Sequence, residues 1–357
     1  MAALNDEQVM LRDMAREWAD NESPVSAFRK MRNAAPPEGY DVDAWKKQAE
    51  MGFAGIIVPE AHGGSDFGFL SLGLVLEQLG RNVAASPLAA TAAATAAILL
   101  GGSEAQQGEW LPKIASGELV AALAVDEGPS FAPGKVEASV SGGKLTGTKK
   151  FVAEGDSAGL FVVAAKDGLY LVPKGEGVTV SPRKMADSRS HAEVRFENAP
   201  ADKLSGGGDD LLTQVTDRAA AATAAEMLGM ALQAFDVTND YLKTRVQFGQ
   251  TLSTFQALQH RMAKMFTELE LTRSAVEGAL EAIDAKRSDV DQAVSLAKAS
   301  AGDTLHLVSR EMVQLHGGIG MTDAHDAGFY LKRARVLETM WGNAAYHRER
   351  FARLNGY

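Results

Sequence analysis

Apolar positions change period twice along this chain. From Asp6 to Asn21 they fall at Val9, Met10, Leu11, Met14, Ala15 and Trp18, the three- and four-residue spacing of one helical face. The same period returns in residues 43–51, 69–80, 86–100 and 105–117, with glycine and proline as punctuation. After Glu118 the texture shifts. Short β-favouring runs at 120–125, 135–141, 144–151, 159–165, 169–172, 178–181 and 191–196 are separated by Gly, Pro and Asp. That spacing predicts an antiparallel β-domain or barrel. Gly206-Gly207-Gly208 reads as a flexible link, and helical periodicity then resumes. Residues 212–245 and 254–284 each exceed ordinary globular helix length, and 288–315 and 326–354 complete a set of four.

The pattern predicts an α+β protein in three parts. These are an N-terminal α-helical domain at 1–118, a middle antiparallel β-barrel domain at 119–208, and a C-terminal four-helix bundle at 209–357. A chain of 357 residues is long enough for two or three domains. Residues 84–100 are Ala-rich and nearly uncharged. Pro87, the threonines and the weak apolarity of Ala favour a buried bundle helix there over a membrane span.

Charge and composition narrow the chemistry. A net charge of −10 argues against a nucleic-acid partner. The absence of cysteine excludes disulfides, thiolate catalysis and Cys-ligated metals. His260, His306, His316, His325 and His347 form no zinc-ligand pattern, so no metal is expected. The start, Met1 to Glu7, is acidic and lacks the basic-then-apolar order of a signal peptide. A cytoplasmic protein is expected.

Two segments carry most of the functional signal. Gln314-Leu315-His316-Gly317-Gly318-Ile319-Gly320 places three glycines in four positions within a helical region, a turn where backbone must approach something closely. Upstream, Arg245-Val246-Gln247-Phe248-Gly249, followed by Gln256, supplies a forked cation suited to phosphate. In this order, across a long helical stretch, the two resemble the FAD-binding elements of the acyl-CoA dehydrogenase family. Val58-Pro59-Glu60-Ala61-His62-Gly63-Gly64, Glu77-Gln78-Leu79-Gly80, Trp110 to Glu118 and Gly147 to Val152 match further family words in the correct order.

The resemblance implies a fold, a cofactor and a reaction. The fold is helices, β-domain, helices. The cofactor is FAD, contacted by Arg245, Phe248, Gln256, Gln314, Gly317, Gly318 and Gly320. The reaction is α,β-dehydrogenation of an acyl-CoA thioester, which needs a carboxylate to take the α proton in a dry site, with electron transfer flavoprotein as acceptor.

The chain departs from the family where that chemistry should sit. The usual base lies in a Tyr-Glu-Gly-Thr stretch; the corresponding stretch here, Thr339-Met340-Trp341-Gly342-Asn343, holds Trp341 at the base position. Indole cannot abstract a proton. A second family branch draws its base from the helix before Arg245, and the equivalent position falls at about Ala219. In the middle domain Asp126 replaces a flavin-contacting Thr, and Phe151 replaces a Trp. In the family each FAD spans a subunit interface. This chain keeps what it would lend a neighbour and lacks what it would need itself. It therefore resembles the catalytic-base-deficient subunit of a heteromeric α2β2 enzyme, paired with a paralogous catalytic subunit and acting on CoA thioesters of steroid side chains or other bulky acids. Two alternatives remain. One is an active homomer with a displaced base at Asp217 or Glu226. The other is a flavin-independent binding protein on the same scaffold, which the joint retention of Arg245, Phe248, Gln314, Gly317 and Gly318 disfavours. Asp217 otherwise reads as a helix-start carboxylate, and Glu226 as a hydrogen-bonding partner of a neighbouring helix or cofactor.

Overall fold

The computed structural model describes residues 4–357; Met1–Ala3, part of the N-terminal stretch read above, lie outside the described residues. Six helices come first: α1 (Asp6–Glu22), α2 (Val25–Ala34), α3 (Val42–Glu50), α4 (Gly68–Arg81), α5 (Leu88–Gly101) and α6 (Glu104–Ala115). Eight strands follow: β1 (Ala121–Ala124), β2 (Ser139–Ser141), β3 (Lys144–Ala153), β4 (Leu160–Ala165), β5 (Gly168–Pro173), β6 (Val178–Pro182), β7 (His191–Pro200) and β8 (Asp202–Lys203). The chain returns to helix in α7 (Leu211–Thr244), makes a hairpin of β9 (Val246–Gln247) and β10 (Gln250–Thr251), and ends in α8 (Gln256–Asp284), α9 (Val290–His316), α10 (Ala327–Leu337) and α11 (Ala344–Leu354). These elements form two compact units. One comprises the chain up to Ser26, Gly73–Ala84 and Thr223–Tyr357; the other comprises Ala27–Leu72 and Ala85–Ala222.

The second unit holds β1 to β8. They form two four-stranded sheets, ordered β1-β4-β5-β8 and β2-β3-β7-β6. The expected antiparallel barrel is corrected here: the sheets do not close on each other, and β1 pairs with β4 in parallel, Ala121 opposite Leu160 through Ala124 opposite Val163. A parallel neighbour requires a crossover, so β2 and β3 leave for the other sheet before the chain returns at β4. Leu145 and Val152, Phe161 and Val163, and Val194 and Phe196 from both sheets share one core, where Phe161 meets Phe196 edge-on at 6.0 Å. Every residue of β4 is buried, because α5 also packs on β1 and β4. The Ala-rich sequence of α5 suits that position, since small side chains let helix and sheet approach closely. No helix among the described residues is long and apolar enough to cross a membrane.

The first unit is helical. α8 and α9 pack against each other, and α10 and α11 pack on α9. The expected fourth helix at 326–354 is two helices, interrupted at residues 338–343. Where α4 meets α7, a Cβ on Gly229 would lie 1.9 Å from the Glu77 carbonyl oxygen, so only glycine permits that approach. The apolar stripe predicted for α1 is narrower in the structure. Leu11, Ala15 and Trp18 are buried, whereas Met10 is 71% exposed, being about 100° round the helix from Leu11.

Candidate cofactor-binding site

Three helix ends meet at one end of the helical unit, and an aromatic stack joins two of them. Tyr241, in the last turn of α7, stacks on His316, the last residue of α9, with ring centroids 4.3 Å apart. The Tyr241 hydroxyl also donates to the His316 carbonyl at 3.4 Å. His316 is buried; its Nδ1 lies 2.7 Å from the Met312 carbonyl, and His325 packs on its other side at 4.5 Å. Burial holds the His316 pKa below the usual histidine value, and the neighbouring His325 adds to this. The ring is a packing element at the end of α9, held between its aromatic neighbours and the Met312 carbonyl. Near the start of α8, Arg261 bonds Glu311 of α9 at 2.6 Å, which brings the α8 N-terminus to the same end.

Arg245 follows Tyr241 by one helical turn. It is exposed, and its guanidinium makes no hydrogen bond or ion pair among the described residues. The adjoining hairpin turns through Phe248 (φ 55°) and Gly249 (φ 79°), left-handed values at both central positions. Gly249 adopts this freely. Phe248 does so at a steric cost, and its ring is 88% exposed, touching Phe255 edge-on at 6.1 Å. A strained backbone position whose aromatic residue keeps one internal ring contact and is otherwise open to solvent suits a ligand or second chain.

The N-terminus of α8 is also unspent. Phe255 occupies its cap position without a side-chain hydrogen bond to the first turn, and Gln256 is exposed beside it. The positive end of a 29-residue helix favours anions, and so does a free guanidinium. The three glycines of the α9 turn do different work. Gly317 has φ +65° and ends the helix. Gly318 is exposed, with nothing within 4 Å of where a Cβ would stand, so its backbone is open to close approach. Gly320 is buried, and a Cβ there would meet the Val313 carbonyl oxygen at 2.6 Å, so this glycine serves packing. Gln314 is exposed at the same turn. These donors fit a phosphate-bearing cofactor.

The positions considered for proton abstraction have other surroundings. Trp341 lies in the link between α10 and α11, with φ +55°. Ala219 is buried in α7. Asp217 is buried in the second turn of α7, which begins at Leu211; it is therefore inside the helix, and the reading of Asp217 as a helix-start residue is corrected. Glu226 forms a buried ion pair with Arg333 of α10, 2.8 Å from Nη2 and 2.9 Å from Nε. In the sheet-bearing unit, burial pushes Asp126 up to about 6, against the Ala132 backbone hydrogen bond and the Lys149 charge that lower it. Next to it Glu127 is held below the usual carboxylate range by its bonds to Lys149 Nζ at 2.6 Å and to the amides of Ala138 and Glu137. Phe151 has φ 55° and is 40% exposed.

Sequence reasoning missed Tyr241 and Arg333. Tyr241 precedes Arg245 by four residues, in the last turn of α7, and that spacing was the available signal. Arg333 carried none, since its pairing with Glu226 spans more than a hundred residues.

A free guanidinium, an open helix N-terminus and a glycine turn are groups that suit phosphate oxygens. The chain belongs to the acyl-CoA dehydrogenase family: residues 5–118 match its N-terminal domain and residues 206–354 its C-terminal domain. Acyl-CoA dehydrogenase IpdE2 of Mycolicibacterium smegmatis is 30% identical over 341 residues, covering 95% of this chain and 96% of that protein. Among solved structures, the Tcur3481–Tcur3483 steroid ACAD variant superimposes with a TM-score of 0.90 at 30% identity, over 98% of each chain. The ChsE4–ChsE5 complex from Mycobacterium tuberculosis does so with a TM-score of 0.91 at 26% identity, over 100% of each chain. These relatives place the chain among oxidoreductases acting on a CH–CH group.

Proposed function

We propose that this chain is the subunit of a heteromeric acyl-CoA dehydrogenase that lends pyrophosphate and adenine contacts to FAD while contributing no catalytic base. The observation that carries this reading is the contrast between a free Arg245 beside an exposed Phe248 and a Trp341 where the carboxylate would stand. Arg245 would clamp phosphate oxygens through its fork, the α8 N-terminus and Gly318 would add backbone donors, and Phe248 would cover the purine end. When bound, FAD supplies the hydride acceptor for α,β-dehydrogenation of the acyl-CoA thioester. The α proton would go to a carboxylate of the paralogous subunit.

The pairing of Glu226 with Arg333 supports this reading, because the guanidinium donates to Glu226 Oε1 and gives this carboxylate a structural partner in the helix packing. Likeness to the chains of a steroid dehydrogenase and of a two-component complex supports a bulky acyl-CoA and a paralogous partner in an α2β2 assembly. Electron transfer flavoprotein is the expected acceptor; a structure titled for such a flavoprotein from Acidaminococcus fermentans includes a similar chain, with a TM-score of 0.90 at 27% identity.

The test is to purify the chain alone and together with a co-encoded larger homologue, and to record the visible flavin spectrum of each. Flavin bound only in the co-purified form supports the heteromer. Stoichiometric flavin with dehydrogenase turnover in the isolated homomer would sink it and favour a displaced base at Asp217. No flavin in either form would favour a binding protein.

A further inference from the structure

Lys298 stands in the middle of α9 with none of its surface exposed. Its Nζ donates to two carbonyls, Leu337 at 3.1 Å and Gly342 at 3.0 Å. Leu337 ends α10, and Gly342 lies two residues before α11, so one amine ties both ends of the link between them. His347, in the first turn of α11 and 2% exposed, closes the same link, with Nε2 2.9 Å from the Trp341 carbonyl. A carbonyl only accepts, so the proton of the neutral ring sits on Nε2. Between these contacts the backbone is left-handed at two successive residues, Trp341 at φ +55° and Gly342 at φ +97°. A Cβ at position 342 would lie 2.4 Å from the Tyr346 ring and 3.0 Å from His347 Nε2. Backbone of this kind persists where its surroundings over-determine it.

A fully buried lysine is costly, and methionine would occupy similar space without burying a charge. What lysine adds here is donors, and both carbonyls it reaches belong to the link. We propose that Lys298 and His347 are the positioning pair of the α10–α11 link, fixing by three hydrogen bonds the backbone on which residue 341 is displayed. The proposal goes beyond the functional reading above, since the pair acts on main-chain carbonyls and does not depend on which side chain stands at 341.

The charges around the pair are consistent with this division of labour. Glu338, at the start of the link, favours the Lys298 ammonium; on α11, Arg350 disfavours a charge on His347, and Lys298 does so more strongly. Burial brings Lys298 down to about 7; burial and then the Lys298 charge bring His347 down to about 4. Between those values the ammonium and the neutral imidazole coexist, with every donor of the clamp in place. As pH rises through 7 the amine keeps N–H donors but loses its charge, so the link loosens without opening.

The full chain, in the assembly in which it purifies, is compared with its Trp341→Phe variant by emission between pH 5.5 and 9. The difference spectrum isolates Trp341, and it should show one transition with a midpoint near 7; a flat difference overturns the proposal. Lys298→Met should abolish that transition and speed amide exchange at residues 338–343 at least tenfold, with the sheets unchanged. Unaltered exchange in a folded Lys298→Met also overturns it. His347→Gln, which keeps an N–H donor, should exchange like the parent, whereas His347→Phe should not; identical behaviour of those two removes His347 from the pair. Should Lys298→Met fail to fold, the parent titration and the two His347 variants decide.

Discussion

Replacing Arg245 by alanine separates a binding role from a structural one, because the structure assigns this side chain no internal work. Its guanidinium has no hydrogen bond or ion pair among the described residues, and the residue is exposed. Surface truncations of that kind change stability by no more than about 0.5 kcal/mol. A charge-assisted bond to a phosphate oxygen is worth on the order of 1.5–3 kcal/mol, roughly ten- to a hundred-fold in affinity. Arg245→Ala should therefore leave the melting temperature of the chain within a degree or two (about 0.5 kcal/mol) and weaken FAD retention in the complex by one to two orders of magnitude. Arg245→Lys should also lose affinity, since a point charge cannot reproduce the fork. The assay is flavin fluorescence on titrating FAD into the deflavinated complex, with a thermal melt of the same samples. Unchanged FAD affinity in Arg245→Ala would refute the assignment. An equal fall in stability and affinity would show that the residue holds the hairpin instead.

Four further outcomes follow from the structure. Phe248→Asn removes a bulky residue from a left-handed turn position and creates the favoured Asn-Gly pair, so the isolated chain should gain up to about 1 kcal/mol while the complex binds FAD less tightly; a loss of stability would show that the Phe255 contact outweighs the strain. Asp126 has a folded pKa of about 6, raised from 3.8, so the stability its protonation contributes is complete below 3.8 and lost as pH rises through 6. Asp126→Asn should gain on the parent across that window, by on the order of 1–2 kcal/mol after allowance for partial exposure, and parallel urea titrations at pH 4 and pH 7 that keep the same difference would contradict this. Glu226→Gln should lower stability by about 3 kcal/mol, by leaving Arg333 buried without its counter-charge, whereas Asp217→Asn should leave turnover of the complex within about tenfold. A loss of a hundredfold or more in Asp217→Asn, with FAD bound, would identify Asp217 as the base.

Most of the helices were legible because each carries its own signal. Burial on one face imposes a 3.6-residue period, and α7, α8 and α9 lie within two residues of the ranges read from that period. The family motifs were legible for a related reason: glycine and arginine at fixed offsets are local requirements of backbone and charge. Even there the sequence could not divide the labour of the glycines. Gly318 is open to solvent and Gly320 closes against the Val313 carbonyl, a distinction set by the turn's orientation.

What the sequence could not determine is pairing at a distance. Whether strands close into a barrel depends on which edges meet, and the parallel pairing of β1 with β4 is invisible to a period-2 pattern that reads the same in either direction. The break at residues 338–343 has no strong local punctuation beyond Gly342; it is stabilised by Lys298, some forty residues upstream, and by His347. Glu226 reads as a possible base until Arg333 is found beside it, and Asp217 as a helix-start residue until it is found buried in the second turn. Local chemistry follows from residue type and spacing, but the protonation and role of a buried group depend on what the fold packs around it, and that is decided only in three dimensions.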